Sequence, residues 1–107
     1  TRGMINAECV AQFKPGVQFI NAARGPCVET AALAEGLKSG QISAATIDCH
    51  SPEPPPAGYP LFGLENVILT PHVAARVPAA VARMCDVVHD VVAVLEGQTP
   101  EYPAPRD

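Results

Sequence analysis

The sequence predicts an α/β fold built on a parallel sheet, and three features carry that prediction. Three short apolar runs, at residues 17–21, 42–48 and 67–69, alternate with stretches of helical periodicity. Gly and Pro punctuation separates them: Lys14-Pro15-Gly16 before the first run, Gly40 before the second and a proline-rich stretch before the third. Each run ends on, or is soon followed by, one chemically capable side chain, namely Arg24, Asp48 and His72. Open parallel sheets bind ligands outside the carboxyl ends of their strands, so these three positions are the first functional signal.

Taken in order, Asn6 is a candidate N-cap for a short helix over residues 7–13. Val17-Gln18-Phe19-Ile20-Asn21 follows as a buried strand, β-branched and aromatic. A helix over residues 29–39 comes next, with Gly40 as its C′ residue. Residues 42–48 form the second strand. The stretch 49–65 contains Pro52, Pro54, Pro55, Pro56 and Pro60, so it reads as a stiff loop that cannot pair as a central strand. Val67-Ile68-Leu69 is the third strand. Pro78 then opens a long helix to residue 96, with Gly97 behind it. Val77, Val81, Met84, Val88, Val91 and Leu95 recur along that helix at three- and four-residue steps. Val87, Val92 and Val94 widen the stripe beyond what a local sheet would cover, so a second domain or a subunit partner is expected against it.

Composition narrows the function classes. Among 107 residues, 48% are hydrophobic and 17% charged, with a net charge of −4. That balance lacks the basic stripe of a nucleic-acid surface, and no nucleic-acid partner is expected. No apolar run approaches the ~18 residues of a membrane span, and no signal-peptide pattern opens the sequence, so a cytoplasmic protein without membrane contact is expected. Cys9, Cys27, Cys49 and Cys85 are widely spaced with no C-x-x-C pair, which fits reduced thiols. Cys49 and His50 lack two further ligands at zinc-like spacing, so no metal is expected.

Three blocks occur in a telling order: Ile20-Asn21-Ala22-Ala23-Arg24-Gly25, Asp48-Cys49-His50-Ser51-Pro52-Glu53-Pro54 and Asn66-Val67-Ile68-Leu69-Thr70-Pro71-His72. Together they resemble the D-isomer-specific 2-hydroxyacid dehydrogenases, the family of phosphoglycerate dehydrogenase and the glyoxylate/hydroxypyruvate reductases. The resemblance implies the second half of a Rossmann-type doubly wound parallel sheet ending in a long helix. Residues 1–107 are then expected to be part of an NAD(P)-binding domain. No three of the eight glycines fit G-x-G-x-x-G, and the family's substrate domain has no counterpart here, so the chain is expected to be a fragment, inactive alone.

The resemblance also assigns roles. Reducing a 2-oxo acid needs a carboxylate anchor, a proton donor for the carbonyl oxygen and a hydride donor. Arg24 matches the family's Arg, whose planar fork can grip a carboxylate through two charge-assisted hydrogen bonds. His72 matches the catalytic His of T-P-H, suited to proton exchange near neutral pH. Glu53 matches the Glu that holds that imidazole in one tautomer. Formate dehydrogenases of the same superfamily carry Gln in this role, so Glu53 points toward hydroxyacid chemistry. Asp48 would orient the nicotinamide carboxamide. Ala22, Ala23, Arg24, His72, Ala74 and Ala75 would line the cofactor, NAD with NADP as the alternative. A homodimer acting on a small 2-hydroxy or 2-oxo acid is implied. Corepressor-like scaffolds similar to this family keep the same Arg, Glu and His, so a dinucleotide-sensing, non-enzymatic role stays open.

Two departures stand out. The family often has Val-Phe after the aspartate, whereas Cys49-His50 stands here, and His50 reads as a loop residue rather than a second base. Glycine commonly follows the T-P-H histidine, whereas Val73-Ala74-Ala75-Arg76 does so here, and Arg76 adds a positive charge.

Overall fold

The Asn6 side chain accepts a hydrogen bond from the Cys9 amide at 2.9 Å and so starts helix α1, Ala7–Ala11. The computed structural model describes residues 1–103, so the last four residues of the expected 107-residue domain lie outside it. Helix α1 is shorter than the sequence predicts. Gln12 and Phe13 bond back only three residues, to Cys9 and Val10, which tightens the end into a turn. The chain divides into two units, residues 1–73 and residues from 74 onward.

The first unit carries strands β1 (Val17–Asn21), β2 (Ile42–Ile47) and β3 (Val67–Leu69) in one parallel sheet of order β1-β2-β3. Helix α2, Thr30–Lys38, joins β1 to β2 and ends with Gly40 at φ 77°, a conformation that suits glycine. The core gathers Val10, Leu33, Ala34, Leu37, Ile42, Ala45 and Ile47 between α1, α2 and the sheet. Gly36 lets these elements meet: a Cβ there would sit 2.9 Å from Val10 Cγ1 and 3.0 Å from Ile42 Cδ1. Fully buried Leu33, Ile42 and Leu61 each contribute about 1.5–3 kcal/mol of burial.

The proline-rich loop does more than connect. Tyr59 and Leu61 from it enter the core, at 5% and 1% exposure, which the local composition does not predict. Turn hydrogen bonds from Tyr59 N to Pro56 O and from Phe62 N to Tyr59 O give these residues their bend. On the sheet's other face, Ile20, Thr46 and Ile68 are register partners across the three strands, and Ile20 and Ile68 are exposed.

The second unit holds a 3-10 turn over Ala74–Arg76 and then the expected C-terminal helical segment. It comprises α3, Pro78–Cys85, and α4, Val87–Leu95, divided at Asp86. There the bonds shorten to three-residue steps, Asp86 N to Arg83 O and His89 N to Asp86 O. Aspartate is a weak helix former, and two β-branched valines follow it. Gly97 closes α4 at φ 75°, with Gly97 N on Val94 O and Gln98 N on Ala93 O, a Schellman arrangement. Among the described residues no helix is long and apolar enough to cross a membrane.

Candidate active site

The three strand ends interlock through main-chain and side-chain hydrogen bonds. At the end of β1, buried Asn21 accepts from Ala23 N through Oδ1 (3.1 Å) and donates from Nδ2 to the Arg24 carbonyl (3.2 Å). That Asx-type turn shapes the exposed Ala22-Ala23-Arg24 segment. The Asn21 carbonyl also accepts from Asp48 N (3.0 Å), which ties the first strand end to the second. Gly25 lies against the backbone of the following loop, where an added Cβ would fall 1.9 Å from the His50 carbonyl oxygen.

At the end of β2, the Asp48 carboxylate is 7% exposed and accepts through Oδ1 from Thr70 Oγ1 (2.5 Å) and Val73 N (2.9 Å). Cys49 is buried and donates to the Ala23 carbonyl at 3.3 Å. Burial pushes the Cys49 thiol pKa up, the Asp48 and Glu53 carboxylates add to the rise, and the Arg24 guanidinium beside it opposes them. Arg24, exposed at the surface, also donates to the Ala23 carbonyl at 2.7 Å.

Beyond β3 the chain turns sharply. Thr70 N donates to Ile47 O, and His72 N lies 2.9 Å from Asp48 O and 3.0 Å from Thr70 O. His72 itself has φ 54°, a left-handed conformation that costs a non-glycine residue about 1–3 kcal/mol and persists only where neighbours impose it. Its Nδ1 meets Glu53 Oε1 at 2.9 Å, with the two side chains 41% and 40% exposed. An ionised carboxylate only accepts, so Nδ1 carries the hydrogen and Nε2 is the nitrogen left for proton exchange. Beside Glu53 opens a pocket of about 370 Å³ walled by Pro54, Pro55, Phe62, Leu69 and Pro71.

The structure thus places Glu53 against His72, and Arg24 beside Cys49. Ala74 and Ala75 open the second unit. His50, read from sequence as a loop residue, is in the loop but buried, its Nε2 2.9 Å from the Thr70 carbonyl. Asn21, Thr70 and Gly25 were not singled out either; their place inside the three blocks that carry the resemblance was the signal. No cluster of three or more metal-ligating side chains occurs among the described residues.

A family model for the D-isomer specific 2-hydroxyacid dehydrogenase NAD-binding domain matches residues 1–74. The chain belongs to this family. A glyoxylate reductase of Thermofilum pendens is 40% identical over 101 residues, which are 94% of this chain and 30% of that protein. The chain therefore spans under a third of that reductase's length. Among solved structures, a D-isomer specific 2-hydroxyacid dehydrogenase from Xanthobacter autotrophicus Py2, in complex with NADPH and MES, superposes with TM-score 0.83 at 40% identity. The match covers 98% of this chain and 43% of that one. A D-lactate dehydrogenase with NAD+ from Lactobacillus jensenii gives TM-score 0.80 at 34% identity, over 99% of this chain and 36% of that one.

Proposed function

We propose that the chain supplies the proton-donor half of an NAD(P)-dependent dehydrogenase that interconverts a D-2-hydroxy acid and a 2-oxo acid. The observation that carries this reading is the Glu53–His72 pair, 2.9 Å apart at the carboxyl end of a parallel sheet. Arg24 binds the substrate carboxylate through its planar fork. His72 gives a proton from Nε2 to the carbonyl oxygen as the hydroxy acid forms, and takes it back in the reverse direction. Glu53 holds the ring in the Nδ1–H tautomer and favours the imidazolium. The small exposed side chains of Ala22 and Ala23 fit the approach of a flat ring to the end of β1. Asp48 joins them in holding the nicotinamide end. The nicotinamide, NAD or NADP, supplies the hydride to the carbonyl carbon when bound.

Residues 1–107 are, in this reading, part of an NAD(P)-binding domain, and the intact protein is a cytoplasmic homodimer. The test is reduction of a panel of 2-oxo acids by the intact protein with NADH and with NADPH, followed by loss of reduced-nicotinamide absorbance. Turnover of at least one acid with one cofactor is expected. Binding of cofactor without turnover of any acid would refute the enzyme and favour a dinucleotide-sensing scaffold.

A further inference from the structure

We propose that His50 is a positioning residue for His72, acting through the main chain of Thr70. The inference rests on the reading of His72 as the proton donor and deepens it. His50 is 6% exposed, and its Nε2 lies 2.9 Å from the Thr70 carbonyl oxygen. A carbonyl only accepts, so Nε2 carries the hydrogen and donates. In the neutral ring Nδ1 is then the acceptor, and it faces the Tyr59 hydroxyl at 3.4 Å.

That imidazole is itself held in place. Tyr59 meets it edge-on, with centroids 5.5 Å apart at 79°, and Phe62 meets Tyr59 in turn at 5.4 Å. Tyr59 is itself buried in the core, at 5% exposure. A packed path therefore runs from Phe62 through Tyr59 and His50 to the carbonyl of Thr70.

What that carbonyl controls is the turn behind it. All three polar groups of Thr70 are engaged: its amide on Ile47 O, its hydroxyl on Asp48 Oδ1 and its carbonyl on His50. The same carbonyl accepts from His72 N at 3.0 Å. His72 sits at φ 54°, and from that left-handed turn its ring reaches Glu53. An aromatic hydrocarbon in place of His50 could fill the space but could not donate. Releasing the Thr70 carbonyl frees one of the groups that impose the turn, and with it the aim of the His72 ring.

Two variants of the intact protein separate positioning from packing. His50→Phe keeps the volume and the edge contact with Tyr59 but loses the donor. His50→Gln fills the space less well but can present an amide N–H near the Nε2 position. Packing alone predicts that Phe is tolerated better; positioning predicts the reverse. Two readouts are measured: hydrogen exchange of the His72 amide by NMR, and kcat and KM for the 2-oxo acid.

In His50→Phe, His72 amide exchange is expected to rise and kcat to fall by about five- to tenfold each, the weight of one hydrogen bond. KM should stay within about twofold, because the lost interaction acts on the proton donor rather than on substrate binding. His50→Gln should stay near wild type in both readouts while being the less stable variant in urea. Wild-type exchange and kcat in His50→Phe, or equal losses in both variants, would overturn the proposal. If exchange follows the expected order but even the wild type reduces no 2-oxo acid, the dehydrogenase reading fails while the anchoring of His72 by His50 stands.

Discussion

Glu53 is the residue whose chemistry and position agree most closely, since it lies within hydrogen-bond distance of the one histidine at the end of β3. Its charge matters more than its shape. Glu53→Gln should leave the fold intact and lower kcat by about tenfold or more, because a neutral amide stabilises the positive charge that forms on the ring less than a carboxylate does. Steady-state kinetics read this directly, and unchanged kcat would remove Glu53 from the mechanism. Cys49 makes a different prediction, about stability. Its thiol is held protonated by burial and by the Asp48 and Glu53 carboxylates. Below the ordinary thiol pKa of about 8.5 the folded and unfolded states bind the same proton, and the thiol has no effect on the pH dependence. Above it the unfolded thiol ionises while the folded one stays protonated, so stability falls as pH rises. Burial of the Tyr59 phenol adds a loss of the same sign at higher pH. Urea unfolding at pH 7 and pH 10 should show this decline, and Cys49→Ala should make it shallower. An equally steep decline in Cys49→Ala would place its cause elsewhere.

At the scale of elements, the strand ends depend on one close approach. The 24–25 segment crosses the backbone at 50–51, and only a residue without a side chain fits there. Gly25→Ala should cost about 1–3 kcal/mol or more, because a backbone carbonyl rather than a flexible side chain must move. Urea denaturation measures it, and a change under about 0.5 kcal/mol, typical of an unconstrained surface site, would contradict the crossing. The strands were legible in the sequence because β-branched runs bounded by Gly and Pro are local signals. Helix caps at Asn6, Gly40 and Gly97 were legible for the same reason. The burial of Tyr59, Leu61 and His50 was not, because it is decided by partners twenty or more residues away, as in His50 on Thr70. Nor was the division at Asp86 legible, since the valine periodicity continues unchanged across it.

At the scale of the molecule, the chain matches under a third of the length of the glyoxylate reductase it resembles. It also exposes Ile20 and Ile68 on the sheet and Val87, Val91, Val94 and Leu95 along α4. The sequence anticipated an apolar surplus along the last helix, and the sheet face adds to it. The site blocks were legible as a set, since three strand ends carry Arg24, Asp48 and His72 in one order. How Asp48, Thr70 and His50 brace the His72 turn was legible only in three dimensions, because none of those contacts follows a sequence period. The central claim is that His72 delivers the proton. The most direct measurement is single-turnover reduction of a 2-oxo acid by the intact protein, wild type against His72→Gln, with cofactor affinity measured in parallel. The account predicts that the variant still binds cofactor but reacts about 10²- to 10⁴-fold more slowly, the range general acid catalysis supplies. An unchanged rate in His72→Gln would contradict it.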